Sequence, residues 1–214
     1  MKELTWREKR EQELRAAGRL YNPMKTGDLS WAKARRLCGE FNDWKTNDAR
    51  RREILPDLLG GVGENSTIVQ PFQVDLGSFV FIGNHSFINM NGLILDKAPV
   101  TIGDNVYIGP NVQLVTPVHP MKAEYRNTDL ERAEPITIED DYWLASGVTV
   151  LPGVTIHKGS VIGGGSVVTR DIPADSVAVG VPCRVIGTVD ELARPEEAEE
   201  LTAYFQELGE DQPC

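Results

Sequence analysis

Three side chains in this chain have the proton chemistry of imidazole: His85, His119 and His157. Imidazole titrates near pH 6.5 when unperturbed, so a histidine beside a poor nucleophile can take its proton as it attacks. His119 stands out by position. Pro120 follows it and fixes the local backbone, and a regular pattern of aliphatic residues stops there. A hydrogen-bonded loop histidine with no catalytic task is the alternative. The three histidines are far apart in sequence, and His85 and His157 fall at turns. The cysteines, Cys38, Cys183 and Cys214, are equally scattered, so no metal-ligand spacing exists and no metal is expected.

The pattern that His119 interrupts has a period of six. Ile82, Ile88, Ile94, Val100, Val106, Val112 and Val118 precede the break, and Ile138, Leu144, Val150, Ile156, Ile162 and Val168 follow it. A helix repeats near 3.6 and a half-buried strand at 2, so six fits neither. It is the hexapeptide signature of a parallel β-helix, a solenoid whose rungs stack their inward residues on those of their neighbours. Turn residues recur at Gly63-Glu64-Asn65, Gly83-Asn84-His85 and Gly103-Asp104-Asn105, where left-handed corners would strain β-branched side chains. The pattern predicts a mainly β fold, with the β-helix over residues 61–187 and residues 119–134 leaving it as an external loop.

Helices should flank this scaffold. Residues 1–60 form an N-terminal helical segment, with helices over 3–20, 29–43 and 47–59, the last ending at Gly60-Gly61. Terminal rungs need covering, and this segment is expected to cap one end. Residues 190–208 read as a closing helix with Leu192, Leu201, Tyr204, Phe205 and Leu208 on its apolar positions, inside an acidic segment, 188–214, with nine acids against Arg194. Residues 1–58 run the other way, with 14 Lys and Arg against 10 Asp and Glu. That is either a solvated helix face or a surface attractive to a phosphate-bearing ligand. The net charge of -10 argues against nucleic acid. No apolar run approaches the roughly 20 residues of a membrane span, and the charged first 20 residues lack a signal-peptide core. Scattered cysteines suit a reducing compartment, so a cytoplasmic location is expected.

Four stretches carry a resemblance: IGDNVYIGPNVQLVTPVHP (102–120), PITIEDDYWLASGVTVLPGVTI (135–156), SVIGGGSVVTRDIP (160–173) and VAVGVPCRVIG (177–187). They resemble the galactoside and maltose O-acetyltransferases, members of the hexapeptide-repeat acyltransferases. ELRAAGRLYNP and CGEFN resemble that family's N-terminal segment, so the likeness runs from about residue 14 to 187. The resemblance implies a left-handed coil and transfer of acetyl from acetyl-CoA, as co-substrate, to a sugar hydroxyl. It also implies a homotrimer with active sites between subunits.

By this resemblance His119 is the catalytic base. Independently of it, Glu131 or Glu124 could orient the ring by accepting its other N–H. Ser146 supplies a backbone N–H for the oxyanion, and Asn89 matches a family asparagine beside the histidine. Asp75 and Asp96 are candidates for the acceptor, although Asn and Asp in a β-helix are often corner residues. Phe87 and Trp143 would pack on the sugar, on the pantetheine arm or in the subunit interface. Ser146, Gly164, Thr169, Arg170 and Arg184, with Trp143, would line the CoA groove: Gly164 by letting the thin arm approach the backbone, the arginines by meeting phosphate with forked bonds. Three departures touch the acceptor side or the coil edge. Lys97 stands where galactoside enzymes tend to carry a second acid, the usual IGDN turn reads Ile138-Glu139-Asp140-Asp141, and Asp28 follows a longer spacing than usual. The alternatives are a non-sugar or amino acceptor, such as an antibiotic or sugar amine, and a non-catalytic β-helix scaffold. A γ-type carbonic anhydrase would need three histidines around a metal, and the spacing here does not suit it.

Overall fold

The computed structural model describes residues 3–28 and 30–209, and Cys214 lies outside them. Three N-terminal helices come first: α1 (Trp6–Ala16), α2 (Ser30–Asn42) and α3 (Asp48–Leu58). α1 starts at a capping box in which the Thr5 side chain accepts from Glu8 N–H and the Glu8 carboxylate accepts from Thr5 N–H. It buries no residue. α2 and α3 do bury an apolar face: Ala34, Leu37, Cys38 and Phe41 from one, Ile54, Leu55 and Leu58 from the other. These side chains join one core with the first rungs of the coil, so α2 and α3 cover its N-terminal end.

The coil has three faces of short strands, each strand pairing in parallel with the one a turn later. One face stacks Gly61–Val62, Val80–Ile82, Val100–Ile102, Ile136–Ile138 and Thr155–Ile156. The next stacks Thr67–Ile68, Phe87–Ile88, Tyr107–Ile108, Trp143–Leu144, Val161–Ile162 and Ser176–Val179, with Arg184–Thr188 added antiparallel at the end. The third stacks Phe72–Val74, Gly92–Leu95, Gln113–Val115, Thr149–Val150 and Val167–Val168. Inward residues form ladders such as Ile82, Ile102, Ile138 and Ile156, or Ile88, Ile108, Leu144 and Ile162, nearly all without solvent exposure. Burying each such side chain is worth roughly 1.5–3 kcal/mol.

The ladders correct the simple count of six. Ile82 stacks on Ile102, twenty residues on, and Ile102 on Ile138, thirty-six on, whereas Ile138 stacks on Ile156 after eighteen. The extra residues lie at one corner, where Val74 to Ile82 and Ile94 to Ile102 each span eight. Val100, Val106 and Val112 therefore stand two positions ahead of the ladder residues Ile102, Ile108 and Leu114. They are buried as well, which hides the slip. Val118 is outside the coil altogether: Pro117–Val118 pairs antiparallel with Arg132–Ala133. This pair forms the neck of the external loop, which carries the short helix α4 (Ala123–Arg126).

The C-terminal part also differs from the expected closing helix. It forms α5 (Val189–Leu192) and α6 (Glu197–Leu208), interrupted at Pro195, which has no N–H to continue a helix. Neither buries a residue, and Leu192, Leu201, Tyr204 and Leu208 are exposed, while Val189 N–H donates to Asp175 O beside the last rung. Among the described residues no helix is long and apolar enough to cross a membrane.

Candidate active site

The corner with extra residues is held by a buried carboxylate. Asp96 has 0 % exposure; its Oδ1 accepts the N–H of Asp75 (3.1 Å) and Leu76 (2.8 Å), and its Oδ2 that of Phe79 (3.2 Å). Burial pushes this carboxyl upward in pKa, and the backbone donors pull the other way. One turn on, Thr116 does the same work. Its Oγ1 accepts from Lys97 N (2.9 Å) and Ala98 N (3.1 Å) and donates to Leu95 O (2.6 Å). Asp96 is thus a clamp behind the corner, with both oxygens engaged by backbone. Its expected place is among the acceptor contacts, and here its oxygens face backbone N–H groups.

What the clamp presents outward is Asp75 and Lys97, paired at 3.0 Å. The segment after α1 folds over them and encloses a cavity of about 300 Å³, lined among others by Tyr21, Met24, Asp28, Trp31, Asp75 and Lys97. A second ion pair, Arg15 to Asp28 at 3.2 Å, forms its other wall, with the Arg15 guanidinium 4.6 Å from the Phe79 ring centre. Burial alone would raise the Asp28 carboxyl. Hydrogen bonds from the Ser30 hydroxyl and N–H and from Arg15 outweigh it, and hold that carboxyl below its ordinary value.

Tyr21 connects this cavity to the loop. It is 1 % exposed, and its hydroxyl donates to Glu131 Oε1 at 2.5 Å. Their backbones are tied too, Tyr21 N–H to Glu131 O (2.9 Å) and Glu131 N–H to Tyr21 O (3.0 Å). The second oxygen of Glu131 faces His119, with Oε2 4.0 Å from Nε2, while the imidazole is 61 % exposed. Glu124 faces Lys122 instead, at 3.7 Å. Of the two acids considered for the ring, Glu131 is the one opposite it.

The other candidates lie on the seven-stranded face and its edges. Phe87, Tyr107 and Trp143 are in register on adjacent strands. Phe87 is half-buried, and Tyr107 and Trp143 are exposed, giving a flat aromatic stripe. Asn89 follows Phe87 and Ile88, and its Oδ1 accepts from Met90 N at 2.8 Å. Ser146 follows Trp143-Leu144-Ala145 and is exposed. Gly109 must be glycine for Ser146 to pass: a Cβ there would lie 2.8 Å from Ser146 N. A Cβ on Gly164 would lie 3.2 Å from Ser146 O, so these residues pack backbone to backbone. Among the described residues no backbone acceptor takes the Ser146 N–H, which leaves it as a donor. Thr169, Arg170 and Arg184 are exposed beyond Gly164, and Arg184 Nη1 donates to Cys183 O at 2.7 Å.

The fold therefore gathers Asp28 and Asp75 at one cavity, ties Glu131 to it through Tyr21 with His119 opposite, and sets Trp143, Ser146 and Gly164 along another face. Tyr21, Trp31 and Met24 were not among the expected site residues. No local signal links Tyr21 to a glutamate 110 positions away. His85 sits exposed at a left-handed corner, and His157 pairs with Glu139 at 3.2 Å. Among the described residues no group of three His, Cys, Asp or Glu could hold a metal ion.

Comparison with known proteins gives the same architecture a lineage. A family model described as a maltose acetyltransferase hexapeptide capping motif matches residues 15–63, and one described as a bacterial transferase hexapeptide (six repeats) matches residues 135–170. Galactoside O-acetyltransferase of Escherichia coli (strain K12) is 41% identical over 177 residues, 82% of this chain and 87% of that protein. A galactoside acetyltransferase solved in complex with coenzyme A superimposes with a TM-score of 0.81 at 40% identity, covering 84% of this chain and 90% of that one. A maltose O-acetyltransferase from Clostridium difficile 630 does so with 0.79 at 38%, covering 83% and 96%. The chain belongs to the hexapeptide-repeat acetyltransferases of the galactoside and maltose O-acetyltransferase type.

Proposed function

We propose that this enzyme transfers acetyl from acetyl-CoA to a hydroxyl of a sugar of the maltose, glucose or galactoside kind, in a ternary complex with His119 as general base. The observation that carries this reading is the placement of His119 against Glu131, which Tyr21 ties to a cavity walled by two ion pairs. About 300 Å³ is at the small end of ligand cavities, and paired carboxylates and cations suit a ring bearing several hydroxyls. The solved coenzyme A complex of a relative supports the co-substrate.

The chemistry balances within these groups. His119 takes the hydroxyl proton as the sugar oxygen bonds to the thioester carbonyl carbon. The resulting oxyanion accepts the Ser146 N–H, positioned by the glycine at 109, with Asn89 beside it. Collapse breaks the C–S bond, and the CoA sulfur leaves with the proton that His119 held. The pantetheine arm would run along Trp143 and Gly164, and Thr169, Arg170 and Arg184 would meet the phosphates. Asp75, with Phe87 near the aromatic stripe, would face the acceptor. We further propose a homotrimer that packs its flat faces together and completes each active site between subunits, because the Phe87–Tyr107–Trp143 stripe is an exposed apolar patch on a repeating surface. Buried free thiols at Cys38 and Cys183 suit a cytoplasmic protein.

The test is purified protein with acetyl-CoA against a panel of glucosides, galactosides, maltose and amino acceptors, with free CoA as the readout. Turnover with sugars is expected, and His119→Ala should lower kcat about 10²- to 10⁴-fold. Undiminished turnover in that variant, or turnover with amines alone, overturns the reading.

A further inference from the structure

We propose that Tyr21 is a positioning residue for acetyl transfer: its hydroxyl holds Glu131 as an aimed carboxylate opposite His119 and so ties the wall of the acceptor cavity to the base. This rests on His119 being the base.

Glu131 is 5 % exposed. A carboxylate taken out of water needs a donor in place of the water it has lost. Tyr21 supplies that donor at 2.5 Å, and a hydrogen bond to a charged acceptor is among the stronger kinds. The phenol is a dependable donor because burial, and then the Glu131 carboxylate, push its pKa well up. The paired backbone bonds between the two residues prevent either from sliding. With Oε1 occupied by Tyr21, Oε2 is the oxygen left for the imidazole. At 4.0 Å it is beyond hydrogen-bond length, and such catalytic contacts commonly tighten when substrate binds. A ring whose one N–H is accepted by Glu131 keeps its other nitrogen bare to receive the hydroxyl proton. The other charges acting on Tyr21, Arg15 and Asp75, are neutralised in their pairs with Asp28 and Lys97. Tyr21 therefore offers the cavity its ring and reserves its hydroxyl for Glu131.

Tyr21→Phe keeps the ring and removes only the hydroxyl. In the full chain, with acetyl-CoA and the best sugar of the panel, kcat should fall about 10- to 100-fold, the worth of a hydrogen bond to a charged group. KM for acetyl-CoA should stay as it is, a split that a general loss of structure would not give. Glu131→Gln should lose a similar factor. The double variant should be no slower than Glu131→Gln, because the hydroxyl acts only through that carboxylate. Wild-type kcat in Tyr21→Phe, or losses that multiply in the double variant, would overturn the proposal. The Glu131→Gln measurement keeps it open to refutation even if Tyr21→Phe folds poorly: wild-type kcat there sinks it too. His119→Ala separates the failures, since an inactive His119→Ala beside a fully active Tyr21→Phe rejects only the role of Tyr21.

Discussion

Two corners of the coil keep a strict count of six, and the third does not. Ile82, Ile88 and Ile94 follow one another at six, but Val74 to Ile82 and Ile94 to Ile102 take eight, and Leu114 to Ile138 takes twenty-four. At a strict corner the side chains serve the coil itself: the Asn84 amide donates to the Asp104 carboxylate, and the Asp140 carboxylate accepts from Asp104 N–H at 2.8 Å. The third corner supplies Asp75, Lys97, His119 and Glu131. A rung that matches its neighbour spends its polar groups on that neighbour. Extra residues break the match, lift side chains off the coil, and place them where the segment after α1 can reach. The cavity and the external loop form where the repeat yields.

The largest effect that sharpens this contrast lies in the ladders. Leu144→Ala removes a fully buried side chain between Ile108 and Ile162 and should cost about 2–5 kcal/mol in urea unfolding, with kcat of the folded molecules little changed. At the irregular corner the balance should reverse. Asp96→Ala leaves the N–H groups of Leu76 and Phe79 without their acceptor and that of Asp75 with Ile94 O alone, for about 1–3 kcal/mol. It should also raise the acceptor KM, because the corner that presents Asp75 loosens. An Asp96→Ala enzyme with an unchanged acceptor KM would show that the clamp and the site are independent, and the contrast would fail.

How far the sequence reveals these two regions follows the same division. The strict corners are legible because their inward residues recur at one period and their turn positions favour Asn, Asp and Gly. The helix Ser30–Asn42 is legible from its apolar spacing, whereas the helix expected over 3–20 ends at Ala16 and buries nothing, and His119 is legible from the break it marks. The two-residue slip is not legible: Val100, Val106 and Val112 are aliphatic and buried like the ladder residues they precede, so both phases read alike. Asp96 is hidden by chemistry, since an acid that binds sugar and an acid that binds backbone are the same residue in a sequence. Tyr21 and Glu131 are hidden by distance along the chain. The apolar spacing of Leu201, Tyr204 and Leu208 does predict a helix, but periodicity says nothing of whether that face finds a core, and here it does not.

A smaller effect is expected at the pair the clamp presents. Lys97 and Asp75 retain some solvent contact, so Lys97→Met should change stability by less than about 1 kcal/mol. It leaves the Asp75 carboxylate uncompensated in the cavity, and the acceptor KM should change severalfold while KM for acetyl-CoA holds. Equal changes in both constants would place Lys97 outside the acceptor site.

The smallest effect is a difference in sign between two acids of the same neighbourhood. Asp28 has its carboxyl held below the ordinary 3.8, because donors from Ser30 and Arg15 outweigh burial. A lowered folded pKa means stability that is present above the unfolded value and lost as pH falls through the folded one. The gap between wild type and Asp28→Asn should therefore be constant above about pH 5 and close as pH drops below about 4. Asp96 is shifted the other way by burial. Its contribution should be complete at low pH and diminish as pH rises through its raised value, so wild type should lose ground to Asp96→Asn on the alkaline side of that titration. Urea unfolding of both variants across the acid range reads the two slopes directly. Opposite slopes mark one acid that faces donors at the cavity and one that is sealed beneath it; slopes of the same sign would mean that the clamp and the wall are a single electrostatic environment.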